Sequence, residues 1–136
     1  MTGVVRRGLA VWLLIVAVEI AHGIARTLLL QPRLGDLRAR QVAVFTGSAL
    51  ILAVTTACVR WIGARRRGQL LALGLLWLAL MLAFELLFGR YVAGQSWERL
   101  ASDYDLPHGG LLPIGMAILA LAPWLAARLR GCLPPA

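Results

Sequence analysis

The sequence contains no lysine, so all fourteen of its basic side chains are arginine. Acidic residues number six, histidines two and cysteines two in 136 residues. These shortages narrow the possible functions. Cys58 and Cys132 are isolated, without the paired spacing of a metal site, and on the cytoplasmic side assigned below they stay reduced. Ser48, Ser96 and Ser102 lack a G-x-S-x-G setting, no glycine loop has phosphate-cradling spacing, and no two carboxylates have a defined separation. Enzymatic activity and cofactors are therefore not expected. A net charge of +8 would suggest nucleic acid in a soluble chain, but the triplet Arg65–Arg67 has no groove-reading element around it. Nucleic acid is not an expected partner.

What the chain has in quantity is apolar length. Sixty per cent of it is hydrophobic, gathered into four blocks at about Leu9–Leu30, Val42–Trp61, Leu70–Gly89 and Leu111–Leu129. A bilayer-crossing helix needs roughly 20 such residues. The blocks use most of the chain and leave no room for a separate soluble domain. The expected fold is all-α: one transmembrane domain over residues 1–136, an integral four-helix bundle whose first partner is the lipid bilayer.

Arginines near the span ends set the orientation. With the N-terminus inside, Arg6, Arg7, Arg60, Arg65, Arg66, Arg67, Arg128 and Arg130 lie on the cytoplasmic side. Arg33, Arg38, Arg40, Arg90 and Arg99 lie outside. The tight Ala64–Gln69 loop, with three adjacent arginines, decides for N-in, C-in. Met1–Gly23 has the basic start and apolar run of a signal peptide. Glu19 interrupts the cleavage region and apolar character resumes at Ile24, so cleavage is not expected. Trp12, Trp61 and Trp124 then fall at the inner interface. Tyr91, Trp97 and Tyr104 fall at the outer one, with Arg90 close enough to the surface to snorkel. Trp77 is deeper, between helices.

Local signals refine the layout. Ala17, Ala21 and Ala25 form a small-residue ladder, as do Ala49, Ala53 and Ala57, and Ala79 with Ala83. Such ladders let helices approach closely, within the bundle or in a dimer. Asp36 is placed to cap a helix beginning near Leu37. From Ser96 to Asp105 the third, outer loop reads as a short amphipathic helix capped by Ser96, with Trp97, Leu100, Ala101 and Tyr104 on one face. Pro113 suits the first turn of the last span, and Pro123 is expected to kink it.

The sharpest feature is polar. Glu19, His22 and Arg26 sit three and seven residues apart within the first span, on one helical stripe. A lipid-facing charge at that depth costs at least ~2.5–3.5 kcal/mol, so the stripe faces protein, water or a ligand. Glu85 in the third span reaches a similar depth, and Thr46 and Ser48 open the second at the same level. The simplest arrangement pairs Glu85 with Arg26 and extends inward through His22 and Glu19. As a structural network, these charges fix helix register. As a pocket open to the outer face, they give a proton-exchanging group beside a fixed positive charge. A metal held by His22, Glu19 and Glu85 with His108 has a weaker signal, because the histidines are separated and no H-x-x-x-H pattern occurs.

The stretches AHGIARTLLLQPRLG (Ala21–Gly35) and FELLFGRYVAGQSWERLASDYDLPHGG (Phe84–Gly110) resemble a group of small four-span bacterial inner-membrane proteins of unassigned function. The block F-E-x-x-x-G-R-Y-V-x-G-x-S-W is the most specific part. The resemblance implies a bacterial inner-membrane location and a multi-pass fold, and no activity. Glu19 in a first short span also resembles the membrane glutamate of small multidrug-resistance transporters. The likeness ends there, since Arg26 and His22 repel a cation. Two classes compete: a non-enzymatic membrane component, alone or with other subunits, and a small transporter or anion- or lipid-binding protein.

Overall fold

A computed structural model of the chain describes residues 2–64 and 66–131; Arg65 of the arginine triplet and Cys132 lie outside the described residues. Among the described residues the regular structure is entirely helical. Helix α1 (Thr2–Ala25) continues through a π-helical turn (Arg26–Leu30) into the short α2 (Gln31–Leu34). Helix α3 (Asp36–Ile62) returns, and α4 (Arg67–Leu87) runs out again through a second π-helical turn (Phe88–Val92). A short α5 (Trp97–Ser102) and a 3₁₀ turn (Leu106–His108) precede α6 (Leu112–Leu129). Four segments are long and apolar enough to cross a membrane: Gly3–Leu34, Asp36–Ile62, Arg67–Val92 and Leu112–Leu129.

The first connection is shorter than the sequence implied. Pro32 comes just after the π-helical turn, and helix continues to Leu34, past the end of the first apolar block at Leu30. Gly35 alone makes the reversal, at φ +82°, a conformation that favours glycine. Asp36 does not cap α3. It lies inside the first turn, and its carboxylate turns to two arginines described below.

Packing follows the order α1, α3, α6, α4, with α3 seated deepest against α6 and α1 scarcely touching α4. At the end holding the chain termini, Ile15, Val59, Ile62, Leu70, Trp77 and Leu119 form a fully buried core. Trp77 lies between helices, as expected of it, and its indole N–H donates to the Gly8 carbonyl of α1 at 3.0 Å. A Cβ on Gly74 would collide with the Ala120 carbonyl, so α4 and α6 meet backbone to backbone. Pro113 occupies the first turn of α6, and α6 runs unbroken through the buried Pro123.

The alanine ladders are not the seams of this bundle. Ala17, Ala21, Ala25, Ala49, Ala53, Ala57, Ala79 and Ala83 are all exposed on its outside. The seams run instead through Gly8, Gly47, Gly74, Ala122 and Ala126, which share stripes with the large core residues. Helix α6 has 18 residues against 27 for α3, a deficit of about 13 Å at 1.5 Å per residue. The segment carrying α5 fills that missing height. Gly110 packs directly on the Ser102 and Asp103 backbone, and Gln41 donates to the Gly109 carbonyl at 3.0 Å.

Candidate functional site: a charged cavity beneath α5

The buried stripe of α1 changes character along its length. Gly8, Val11 and Ile15 enter the core, and Glu19, His22 and Arg26 continue the same face toward the α5 end. There the bundle is hollow. A cavity of about 540 Å³ is lined by all three of these residues, by Glu85 of α4, by Ser48 of α3 and by Tyr104 beyond α5. The volume lies in the usual range for small-molecule sites, ~300–1,000 Å³.

Glu19 and His22 nest against α3 because position 47 is glycine. A Cβ there would lie 3.0 Å from Glu19 Oε2 and 3.5 Å from His22 Cε1. His22 Nδ1 is 3.8 Å from Glu19 Oε2, and Nε2 is 2.6 Å from Thr46 Oγ1. The Thr46 hydroxyl also lies 3.3 Å from Val42 O of its own helix, and the direction of its bond with His22 follows the imidazole tautomer. Nδ1 faces the carboxylate beyond hydrogen-bond distance. Glu19 Oε1 is buried with no hydrogen-bond partner, and so is the Tyr104 hydroxyl.

The expected Glu85–Arg26 pair is not formed. Among the described residues neither makes an ion pair within 4.0 Å, although Glu85 is within Coulombic reach of Arg26, Glu19 and Asp103. The ion pairs lie one layer nearer the end of the bundle. Arg99 donates to both carboxylate oxygens of Asp36, at 2.5 and 2.9 Å. Arg40 pairs with Asp36 at 3.0 Å and also with Asp103. This lattice pins the α5 segment to the start of α3, and Arg40, Arg99 and Asp103 form part of the cavity wall. The bidentate bond to Asp36 raises the pKa of Arg99 further, keeping it charged.

Sequence reasoning missed this lattice. Its only local signal is the i,i+4 spacing of Asp36 and Arg40; its other bonds join residues 63 apart. Of the residues expected at the interface, Trp97 is exposed with the Arg90 guanidinium 5.6 Å from its ring centre. Tyr104 instead turns inward, and burial raises its pKa to about 12, with lesser contributions from Glu85 and Asp103. Ser96 accepts from the Arg99 N–H at 3.1 Å and caps α5. His108 lies on the surface, 2.8 Å from Asp105 and outside the cavity. Among the described residues no group of three His, Cys, Asp or Glu side chains suits a metal ion.

Four membrane-length helices around a charged hollow define a multi-pass helical membrane protein. No protein-family profile, curated protein or solved structure matches the chain.

Proposed function

We propose that this is a non-enzymatic multi-pass protein of the bacterial inner membrane whose cavity binds a small charged ligand on the extracytoplasmic side. The arginine distribution supports both termini in the cytoplasm and the α5 end outside, with Trp97 and Arg90 at the headgroup level. One observation carries the binding reading: Arg26 and Glu85, opposite charges on one cavity, are not paired. A purely structural network closes on itself, because an uncompensated buried charge costs about 3–5 kcal/mol. The lattice of Asp36, Arg40, Arg99 and Asp103 does close on itself, and the structural role belongs there. Glu19, His22, Arg26 and Glu85 leave bonds for a ligand to complete.

Native mass spectrometry of the protein in mild detergent tests this. Wild type retains a small-molecule adduct, and Glu85→Gln and Glu19→Gln lose it while keeping helical content and elution volume. Loss of folding in both variants, with no adduct on wild type, makes the charges purely structural.

A second reading has its own support. The outward alanine ladders on α1, α3 and α4 suit close contact with other membrane helices, so a role as a subunit, with itself or others, accompanies the cavity. Orientation is checked by impermeant thiol labelling after Cys58 and Cys132 are replaced by alanine. Glu98→Cys reacts in intact cells, and Gly68→Cys only after permeabilisation.

A further inference from the structure

We infer that the ligand is a zwitterionic amino-phospholipid whose headgroup enters sideways, through a gap between α1 and α4, with its acyl chains left in the bilayer. This rests on the reading that the cavity binds a ligand, and it names the ligand class and its route.

The route follows from where α1 and α4 touch. Near the terminal end they are joined by the Trp77–Gly8 bond and by an edge-on contact of Trp12 with Phe84, ring centres 6.4 Å apart. Beyond that the seam opens. Ile20, Ile24 and Leu28 line the cavity and are 37, 57 and 67% exposed. Apolar cavity-lining side chains this exposed, on a helix that scarcely touches α4, are the basis for placing the aperture here. From α4 the stacked rings of Phe84 and Phe88, 5.1 Å apart, also line the cavity. The rim is thus hydrocarbon, on segments of membrane-spanning length. Both helices turn π-helical at this level, at Arg26–Leu30 and Phe88–Val92. Such widened turns recur at functional sites. On the water side, by contrast, the ion-pair lattice holds the α5 segment in place.

The headgroup follows from what lies unpartnered inside. Arg26 offers a planar guanidinium, which suits phosphate oxygens. Glu85, with the unsatisfied Glu19 Oε1, offers carboxylate acceptors. A primary ammonium brings three donors to such acceptors, whereas a quaternary ammonium brings none. The buried Tyr104 hydroxyl adds a donor for a phosphate or ester oxygen. The cavity thus presents both a cationic and a carboxylate group to a ligand, which fits a zwitterion better than an anion or a cation. The 540 Å³ volume accommodates a headgroup and the first few methylenes. The remaining chain length stays outside the rim.

The test titrates the full-length protein in nanodiscs or detergent with short-chain phosphatidylethanolamine, phosphatidylglycerol and the tail-less glycerophosphoethanolamine. We expect phosphatidylethanolamine to bind wild type about tenfold or more tightly than phosphatidylglycerol, with glycerophosphoethanolamine a poor competitor. Arg26→Gln weakens both lipids, and Glu85→Gln brings phosphatidylethanolamine down to the phosphatidylglycerol level. Gly23→Leu is the blocking variant, because a Cβ at this cavity-lining position meets nothing within 4 Å and the side chain starts in open space. It keeps the helical content and loses the lipid. Equal wild-type binding of the two lipids overturns the inference. So does full competition by glycerophosphoethanolamine, which places the route in water, or undiminished binding by Gly23→Leu. If some other small molecule is retained and phosphatidylethanolamine is not, the lipid assignment falls and the cavity reading stands. If wild type retains nothing, both fall.

Discussion

At the scale of single residues, Gly47 decides whether a charged stripe can exist inside this bundle. It lets Glu19 and His22 lie flush on α3, and with them the His22–Thr46 bond. Gly47→Ala is expected to be tolerated within about 1 kcal/mol, since Glu19 Oε2 ends a flexible side chain and alanine favours helix by a similar amount. Gly47→Leu has no such escape and should destabilise by about 1–3 kcal/mol, with loss of the retained adduct. Chemical unfolding in detergent alongside native mass spectrometry separates the two outcomes.

Tyr104 gives a pH prediction. Its phenol is raised from the ordinary 10.0 to about 12 in the folded protein, chiefly by burial. Below pH 10 both folded and unfolded states hold the proton. Between pH 10 and 12 the unfolded state releases it while the folded state does not, so stability falls as pH rises through that window. Tyr104→Phe removes this part of the slope. Its hydroxyl has no protein partner, so the substitution is also expected to leave neutral-pH stability unchanged or slightly raised. Unfolding midpoints measured across the window check both statements.

Among residues, the polar stripe was legible because i, i+3 and i+7 positions share a helix face whatever surrounds them. Its partners were not. Pairing Glu85 with Arg26 assumed that opposite charges at equal depth close on each other. The cavity between the helices, a property of packing, keeps them apart.

At the scale of elements, the four spans were legible from apolar length alone. Which small residues make the seams was not, because a ladder of alanines permits close approach without saying toward which neighbour. Gly74 carries a sharper test. Gly74→Ala drives a methyl into the Ala120 carbonyl and should cost about 3 kcal/mol or more, the upper range for overpacking. Gly68→Ala, in the first turn of the same helix, meets nothing within 4 Å and is expected to be neutral or slightly stabilising. Thermal unfolding of the pair makes the comparison within one helix. The end of the first span was misread because Gln31, Pro32 and Arg33 look like loop chemistry, whereas they continue the helix to Leu34. A proline in the first turn and one glycine with positive φ accomplish the reversal without a loop.

At the scale of the whole molecule, the bundle is solid at one end and hollow at the other, and the lattice around Asp36 pins the α5 segment to the start of α3 at the hollow end. Asp36→Asn removes the acceptor of a bidentate bond and one partner of Arg40. Asp36 and Arg99 are about one-third exposed, so the global cost should be modest, about 1 kcal/mol. The local effect is larger: amide exchange across Trp97–Ser102 should accelerate while the Trp77 region stays protected. High salt should act in the same direction on the wild type, and more weakly. Equal exchange in wild type and variant argues against the pinning role. This contact joins distant segments, which explains why composition and spacing gave no hint of it.

The reversal at Gly35 limits how the molecule can breathe. With one residue between them, the tips of α2 and α3 are never more than about 7 Å apart at the Cα atoms. Helix α1 is therefore tethered at its far tip and clasped near its start by Trp77, like a bowstring fixed at both nocks. The slit beside it can flex but not swing wide. On the proposed lateral route, entry therefore turns on the girth of the lipid rather than on a swing of α1.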